Sequence, residues 1–114
     1  TKYLYPLIKA GNSKKIINIS SKLGSIKLSS GGSIPYNVSK TGLNMLTKQQ
    51  AIEYGTDGVT VISLSPGWVR TDMGGSFAPM SVQESATRIL QVIETISLSQ
   101  SGQFFDIDGK VLPY

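Results

Sequence analysis

No cysteine and no histidine occur in the 114 residues of this chain. The first absence excludes a disulfide framework, cysteine-ligated zinc or iron-sulfur centres and thiol catalysis. The second removes the commonest general base and metal ligand. Acid-base chemistry is left to Tyr, Lys, Asp and Glu, and no metal site is expected. No apolar run approaches the ~20 residues needed to cross a bilayer, and no basic-then-apolar leader opens the chain, so no membrane partner is expected and the cytoplasm is the expected compartment. Acidic residues are missing from the first 52 residues. Every charge before Glu53 is a lysine, whereas the remainder carries seven acids against Arg70, Arg88 and Lys110. A basic half suits an anionic partner, either nucleic acid or a nucleotide phosphate. These lysines are spread over different segments without arginine clusters or interleaved aromatics, so solvated surface charge is the better account and no nucleic-acid partner is expected. At this length there is room for one modest hydrophobic core. The chain opens at Thr1 in helix-like material without an initiator Met, which leads us to expect part of a longer protein.

Periodicity divides the chain into alternating elements. Tyr3 to Ile8 reads as the end of an apolar helix, with Pro6 near its boundary or at a kink. Lys14 to Ser20 is a short β-branched run of the buried-strand type. Lys22 to Pro35, rich in Ser and Gly, is a loop. Tyr36 to Glu53 is helical, with Val38, Leu43, Met45, Leu46 and Ile52 as its apolar surface. Gly55 to Gly58 ends that helix, and Val59 to Leu64 is a second buried strand. Ser65 to Pro79 is a long loop of the kind that carries function. Ser81-Val82-Gln83-Glu84 has a capping-box pattern, and an amphipathic helix follows to about Ser97. Gln103 to Ile107 is a last short strand before a turn at Asp108-Gly109. Such alternation is the rhythm of an open parallel α/β sheet, in which ligands bind beyond the carboxyl ends of the strands. Those ends are followed here by the loops after Ser20, Leu64 and Phe105.

Tyr36 and Lys40 stand four residues apart at the start of the second helix, so both leave one helical face. A phenol ordinarily titrates near ~10, and a fixed cation beside it favours the ionised form, which is one way to make tyrosine a proton donor and acceptor. Taken alone, this spacing is more often a half-buried aromatic beside a solvated lysine. Its surroundings change the weighting. Ile17-Asn18-Ile19-Ser20-Ser21 closes the first strand, Tyr36-Asn37-Val38-Ser39-Lys40 follows, and Ser65-Pro66-Gly67-Trp68-Val69-Arg70-Thr71-Asp72-Met73 comes after the next strand. This ordered set resembles the C-terminal half of a short-chain dehydrogenase/reductase. Together with Ser21 to Ser25, Gly74-Gly75 and Asp106-Ile107-Asp108-Gly109, it most resembles the carbonyl reductases of the C-factor and sniffer-like branch.

The resemblance implies an α/β fold, half of a Rossmann-type doubly wound parallel sheet, with residues 1–114 as one partial domain. It also implies hydride transfer between a nicotinamide cofactor and a carbonyl or alcohol carbon. Tyr36 would exchange the proton with the substrate oxygen, Lys40 would assist the phenol and hold the nicotinamide ribose, and Ser21 would hydrogen-bond the substrate oxygen, with Ser20 as the competing candidate. Pro66 and Gly67 would turn the chain under the nicotinamide, while the Val69 backbone and the Thr71 hydroxyl would bind its carboxamide. Trp68 and Phe77 would either line an apolar substrate pocket or anchor the loop to the core. NADP(H) is favoured over NAD(H) by analogy with the branch. The Gly-rich phosphate turn and the family's catalytic asparagine have no counterpart between Thr1 and Tyr114, so the cofactor-binding half is expected upstream. A homodimer of the full-length protein is expected by the same analogy. The alternative from another class is a catalytically silent binding or scaffolding module.

Overall fold

Thr60 to Leu64 has no polar-apolar alternation, and it forms β2, with all five residues buried at the centre of the sheet. The computed structural model describes residues 1–114. In chain order its regular elements are α1 (Tyr5–Ala10), β1 (Lys15–Ile19), α2 (Ile34–Gly55), β2 (Thr60–Leu64), α3 (Val82–Thr95), β3 (Phe104–Phe105) and β4 (Val111–Leu112). One-turn 3-10 helices occupy Lys22–Gly24 and Leu98–Gln100. The sheet order is β1-β2-β3-β4. β1 pairs with β2 in parallel, from Lys15 opposite Thr60 to Ile19 opposite Leu64, and β2 pairs with β3 in parallel.

Side chains of β2 alternate between two different layers. Ile62 and Leu64 join Val92 and Ile96 from the α3 side and Phe105 in the main core cluster, with Ile17 and Ile89 packed against it. Burying each such side chain contributes roughly 1.5–3 kcal/mol. The opposite face meets α2, where the contact is polar. The Thr47 and Ser63 hydroxyls lie 2.7 Å apart, and the Asn18 amide donates to Thr47 Oγ1 at 2.9 Å and to Gln50 Oε1 at 3.0 Å. Successive strand residues point to opposite faces, so α2 and α3 cover opposite sides of the sheet. The arrangement is the open α/β sheet expected from the alternation, wound on both faces as the resemblance implies, with β4 added antiparallel at one edge.

Several local expectations need correction. β1 is only half-buried, with Ile19 43% exposed, because it is an edge strand paired on one side alone. α2 starts at Ile34, two residues before Tyr36, because Pro35 lacks only an N–H that the first turn leaves unbonded anyway. Pro6 similarly stands in the first turn of α1, which extends to Ala10. The inward residues of α2 are Asn44, Thr47 and Gln50, whereas Val38, Met45, Leu46 and Ile52 are exposed. At α3, Ser81 Oγ accepts from the Glu84 N–H at 3.1 Å, but the Glu84 carboxylate accepts from Arg88 and leaves the capping box half made. The last expected strand shortens to β3 because Asp106 Oδ1 accepts from the N–H groups of Asp108 and Lys110. That side chain folds the backbone into a hairpin and returns β4 antiparallel to β3.

α1 is fastened beside the carboxyl end of α2. Tyr5 donates to the Asp57 carboxylate, which also pairs with Lys9 at 2.9 Å, and the Tyr5 and Tyr54 rings lie 4.2 Å apart. The hydrogen bond to Asp57 pushes the Tyr5 phenol up to about 12, and the same bond, together with Lys9, holds the Asp57 carboxyl below its ordinary value. A raised tyrosine favours the folded state below its unfolded value and ceases to do so as pH rises through the folded value. A lowered carboxylate favours it above the unfolded value and ceases as pH falls. The attachment is therefore strongest between the ordinary values of 3.8 for Asp57 and 10.0 for Tyr5. Asp57→Asn should return the Tyr5 titration, followed by phenolate absorbance, toward 10.0; an unmoved titration would show that the carboxylate is not its cause. Thr47→Val in the full-length protein should cost about 1–3 kcal/mol by leaving the Ser63 hydroxyl unpartnered, lowering the urea midpoint without changing the slope. An unaltered midpoint would mean that the polar layer adds nothing to stability.

Candidate active site

The chain leaves β1 through two serines that face different ways. Ser20 is buried at 2% exposure, and its Oγ lies 3.4 Å from the Lys40 carbonyl oxygen under α2. Ser21 is extended and faces a cleft at the carboxyl ends of β1 and β2. Its Oγ accepts from the Leu23 N–H at 3.2 Å, leaving the O–H to donate into the cleft. The Lys22 N–H donates to Ser65 Oγ at 3.0 Å, joining this turn to the end of β2.

Tyr36 enters the same cleft from the first turn of α2. Lys40 stands behind it, with Nζ 5.7 Å from the centre of the Tyr36 ring and donating to the Ile19 carbonyl at 3.0 Å. The ammonium is therefore fixed at the end of β1 rather than free in solvent.

The opposing wall is the chain after β2. Ser85 of α3 donates to the Pro66 carbonyl at 2.9 Å, and Gly67 turns with φ of +80°. Val69 then makes an isolated parallel bridge with Met80. Arg70 closes the neck of this loop, its Nη1 donating to the carbonyls of Ala78 and Pro79 at 3.0 Å each. Inside the loop, Gly74 is the point of contact. Its N–H donates to Thr71 Oγ1 at 3.0 Å, its carbonyl accepts from Trp68 Nε1 at 2.8 Å, and a Cβ there would stand 1.8 Å from the Val69 carbonyl oxygen. Only glycine fits, and by fitting it sets both Val69 and Thr71.

The cleft holds about 1050 Å³, and its walls include Ser21, Tyr36, Pro66, Gly67, Val69 and Thr71, with Trp68 at its edge. Val82, Ala86, Ile89 and Ile107 make much of the remaining surface apolar. Lys40 supports the site from behind Tyr36 without lining the cleft. Phe77 lies outside the wall and is 93% exposed, because the Arg70 clasp leaves the loop tip projecting; Met73 takes the place in the wall. Ser65, Met73 and Ser85 also line the cleft, beyond the residues expected from sequence. Ser85 was detectable in principle, since it falls in the Val82, Ser85, Ala86, Ile89 stripe of an amphipathic helix, where a hydroxyl needs a partner. Ser65 and Met73 bound the Ser65-to-Met73 motif, but nothing in their local sequence gives either side chain a place in the wall. A phenol, a serine O–H and a fixed ammonium at one edge of an apolar cleft can exchange a proton with a substrate oxygen and hold it by hydrogen bonding.

The family profile for short chain dehydrogenase matches residues 1–81. C-signal of Myxococcus xanthus is 32% identical over 115 residues, taking in 100% of this chain and 69% of that protein. The chain belongs to the short-chain dehydrogenase family. Among solved structures, the chain is similar to carbonyl reductase Sniffer of D. melanogaster, with a TM-score of 0.92 and 38% identity over 99% of this chain and 50% of that one. It is also similar to an NADPH-bound carbonyl reductase from chicken fatty liver, with a TM-score of 0.86 and 36% identity over 96% of this chain and 49% of that one. The chain thus spans about half the length of these two structures. The profile match includes Ser21, Tyr36, Lys40 and the wall from Pro66 to Thr71, and it ends at the entry to α3.

The Gly74 contact is open to direct measurement because Trp68 is the chain's single tryptophan. Gly74→Ala should break the indole hydrogen bond and shift the Trp68 emission while leaving the far-UV circular dichroism of the helices unchanged. Identical emission spectra would show that the loop does not depend on this glycine.

Proposed function

We propose that this chain is the catalytic half of a nicotinamide-dependent oxidoreductase that interconverts a carbonyl and an alcohol. The observation that carries this reading is the convergence of Ser21, Tyr36 and the Pro66-to-Thr71 wall on one cleft, with Lys40 fixed behind Tyr36. The donor set suits the nicotinamide end of the cofactor. It comprises a phenol, an ammonium, the Val69 backbone and a Thr71 hydroxyl whose lone pair is occupied by Gly74, above a turn without side-chain bulk at Gly67. When bound, the reduced cofactor supplies the hydride. Ser21 donates to the substrate oxygen and stabilises the charge that grows there, while Tyr36 delivers the proton to that oxygen. Lys40 holds its ammonium beside the phenol and is positioned to reach the ribose hydroxyls. Trp68 and Met73 present apolar surface to the rest of the substrate.

NADP(H) is the cofactor we propose, since similar carbonyl reductase structures contain NADPH or NADP. The dinucleotide's phosphate-binding half is assigned to sequence outside Thr1 to Tyr114, in keeping with the half-length coverage of the solved relatives. A homodimer of the full-length protein is supported by the exposed apolar side chains of Leu4, Leu7, Val38, Met45 and Ile52 on the outer faces of α1 and α2.

In the full-length protein, Tyr36→Phe should lower carbonyl-dependent oxidation of NADPH by about 10²–10⁴-fold, the usual contribution of a positioned proton donor, with an unchanged thermal midpoint. Turnover at the wild-type rate would remove Tyr36 from the reaction. A folded wild-type protein that neither binds NADPH nor turns over would instead favour a silent scaffolding module.

A further inference from the structure

We infer that Thr41 and Asn44 are positioning residues, which hold the Ser21 turn against α2 and so set the spacing of Ser21 from Tyr36 and Lys40. The inference rests on the functional reading above but draws on residues outside the proposed chemistry. The turn is a single mechanical unit. Gly24 donates to the Ser21 carbonyl at 2.8 Å, and the Leu23 N–H donates to Ser21 Oγ at 3.2 Å, so a displacement of Gly24 carries Ser21 with it.

Gly24 is gripped from one side. Its carbonyl accepts from Asn44 Nδ2 at 3.2 Å and lies 3.0 Å from Thr41 Oγ1, whose single proton is shared between Gly24 and the Asn37 carbonyl at 2.9 Å; Thr41 and Asn44 stand one turn apart on the same face of α2. Its Cα rests on the backbone of Lys40 itself. A Cβ at Gly24 would lie 2.8 Å from the Lys40 carbonyl carbon and 2.9 Å from Lys40 Cβ, so no larger residue allows this approach. Ser65 holds the other side of the turn through the Lys22 N–H. Ser21, Tyr36 and Lys40 thereby belong to one clamped body, although they come from two different elements.

Asn44 shows that the grip is not simply core packing. It is 2% exposed, and while its amide N–H serves Gly24, its Oδ1 is buried without a partner. An unpaired buried acceptor is destabilising, so an apolar residue of similar size would suit this position better if packing were the only demand. What asparagine supplies and leucine cannot is the directed bond to the Gly24 carbonyl.

The experiment uses the full-length protein with Asn44→Leu, Thr41→Val, the double variant and Thr41→Ser as the conservative control. Amide exchange at Leu23 and Gly24 and NADPH oxidation with 4-nitrobenzaldehyde are both measured. In the double variant we expect exchange at these amides to accelerate by about tenfold or more. We also expect kcat to fall on the order of ten- to a hundredfold with little change in KM, as misplaced reacting groups require. Asn44→Leu should keep or raise the thermal midpoint, and Thr41→Ser should retain wild-type kcat. Unchanged exchange would overturn the grip. Faster exchange with wild-type kcat would overturn its positioning role, as would a kcat loss that merely follows loss of folded protein. If the wild-type protein does not turn over the aldehyde, that failure falls on the proposed reaction, and the exchange result alone decides the grip.

Discussion

Hydrogen bonds between the Thr47 hydroxyl, Ser63 and Asn18 hold α2 to the sheet, and the geometry of the cleft depends on them. Apolar packing would let a helix rotate or slide by small amounts at little cost. Directed bonds to two neighbouring strands do not. Lys40 is seven residues before Thr47 and Tyr36 is eleven, so on an ideal helix both fall within about 20° of its direction. Locking Thr47 toward the sheet therefore also turns Tyr36 and Lys40 toward the carboxyl ends of the strands. The side chains at one end of α2 that line and back the cleft are thus positioned by a polar layer near its middle.

The polar layer has a second consequence on the outside of the helix. Because Asn44, Thr47 and Gln50 occupy the inner face, Val38, Met45 and Ile52 are left outward, together with Leu7 of α1 and Leu4 at its N-cap. An unburied apolar stripe of this kind is a natural surface for pairing. β1 is likewise open along one edge. Stability inside the chain is concentrated instead between β2 and α3, where Ile62, Leu64, Val92, Ile96 and Phe105 meet.

The wall after β2 is shaped by a different means. No regular element runs from Ser65 to Ser81, yet the loop is closed at its neck by Arg70, fastened to α3 by Ser85 and folded inward on Gly74. Backbone carbonyls accept most of these bonds, so the loop's shape is set by a few donors rather than by a core of its own. Ser21, by contrast, owes its place to a short turn gripped from α2. Two unrelated devices therefore bring opposite walls of one cleft into register.

The strands are legible in the sequence because short β-branched runs such as Ile16-Ile17 and Val61-Ile62 leave few alternatives. Details that depend on neighbours are not legible there. Pro35 reads as a loop residue until the first helical turn makes its missing N–H harmless, and Val111-Leu112 is too short to announce a strand without the hairpin folded by Asp106. Spacing along the chain by itself determined the alternating α/β order, the strand ends on which Ser21 and Pro66 stand, and the shared helical face of Tyr36 and Lys40, because these follow from local backbone periods. Only the tertiary structure decided which face of α2 turns inward, that Ser21 rather than Ser20 opens on the cleft, and that Met73 rather than Phe77 completes its wall. Those outcomes are set by hydrogen bonds and close contacts between residues far apart in the chain, which no local period encodes.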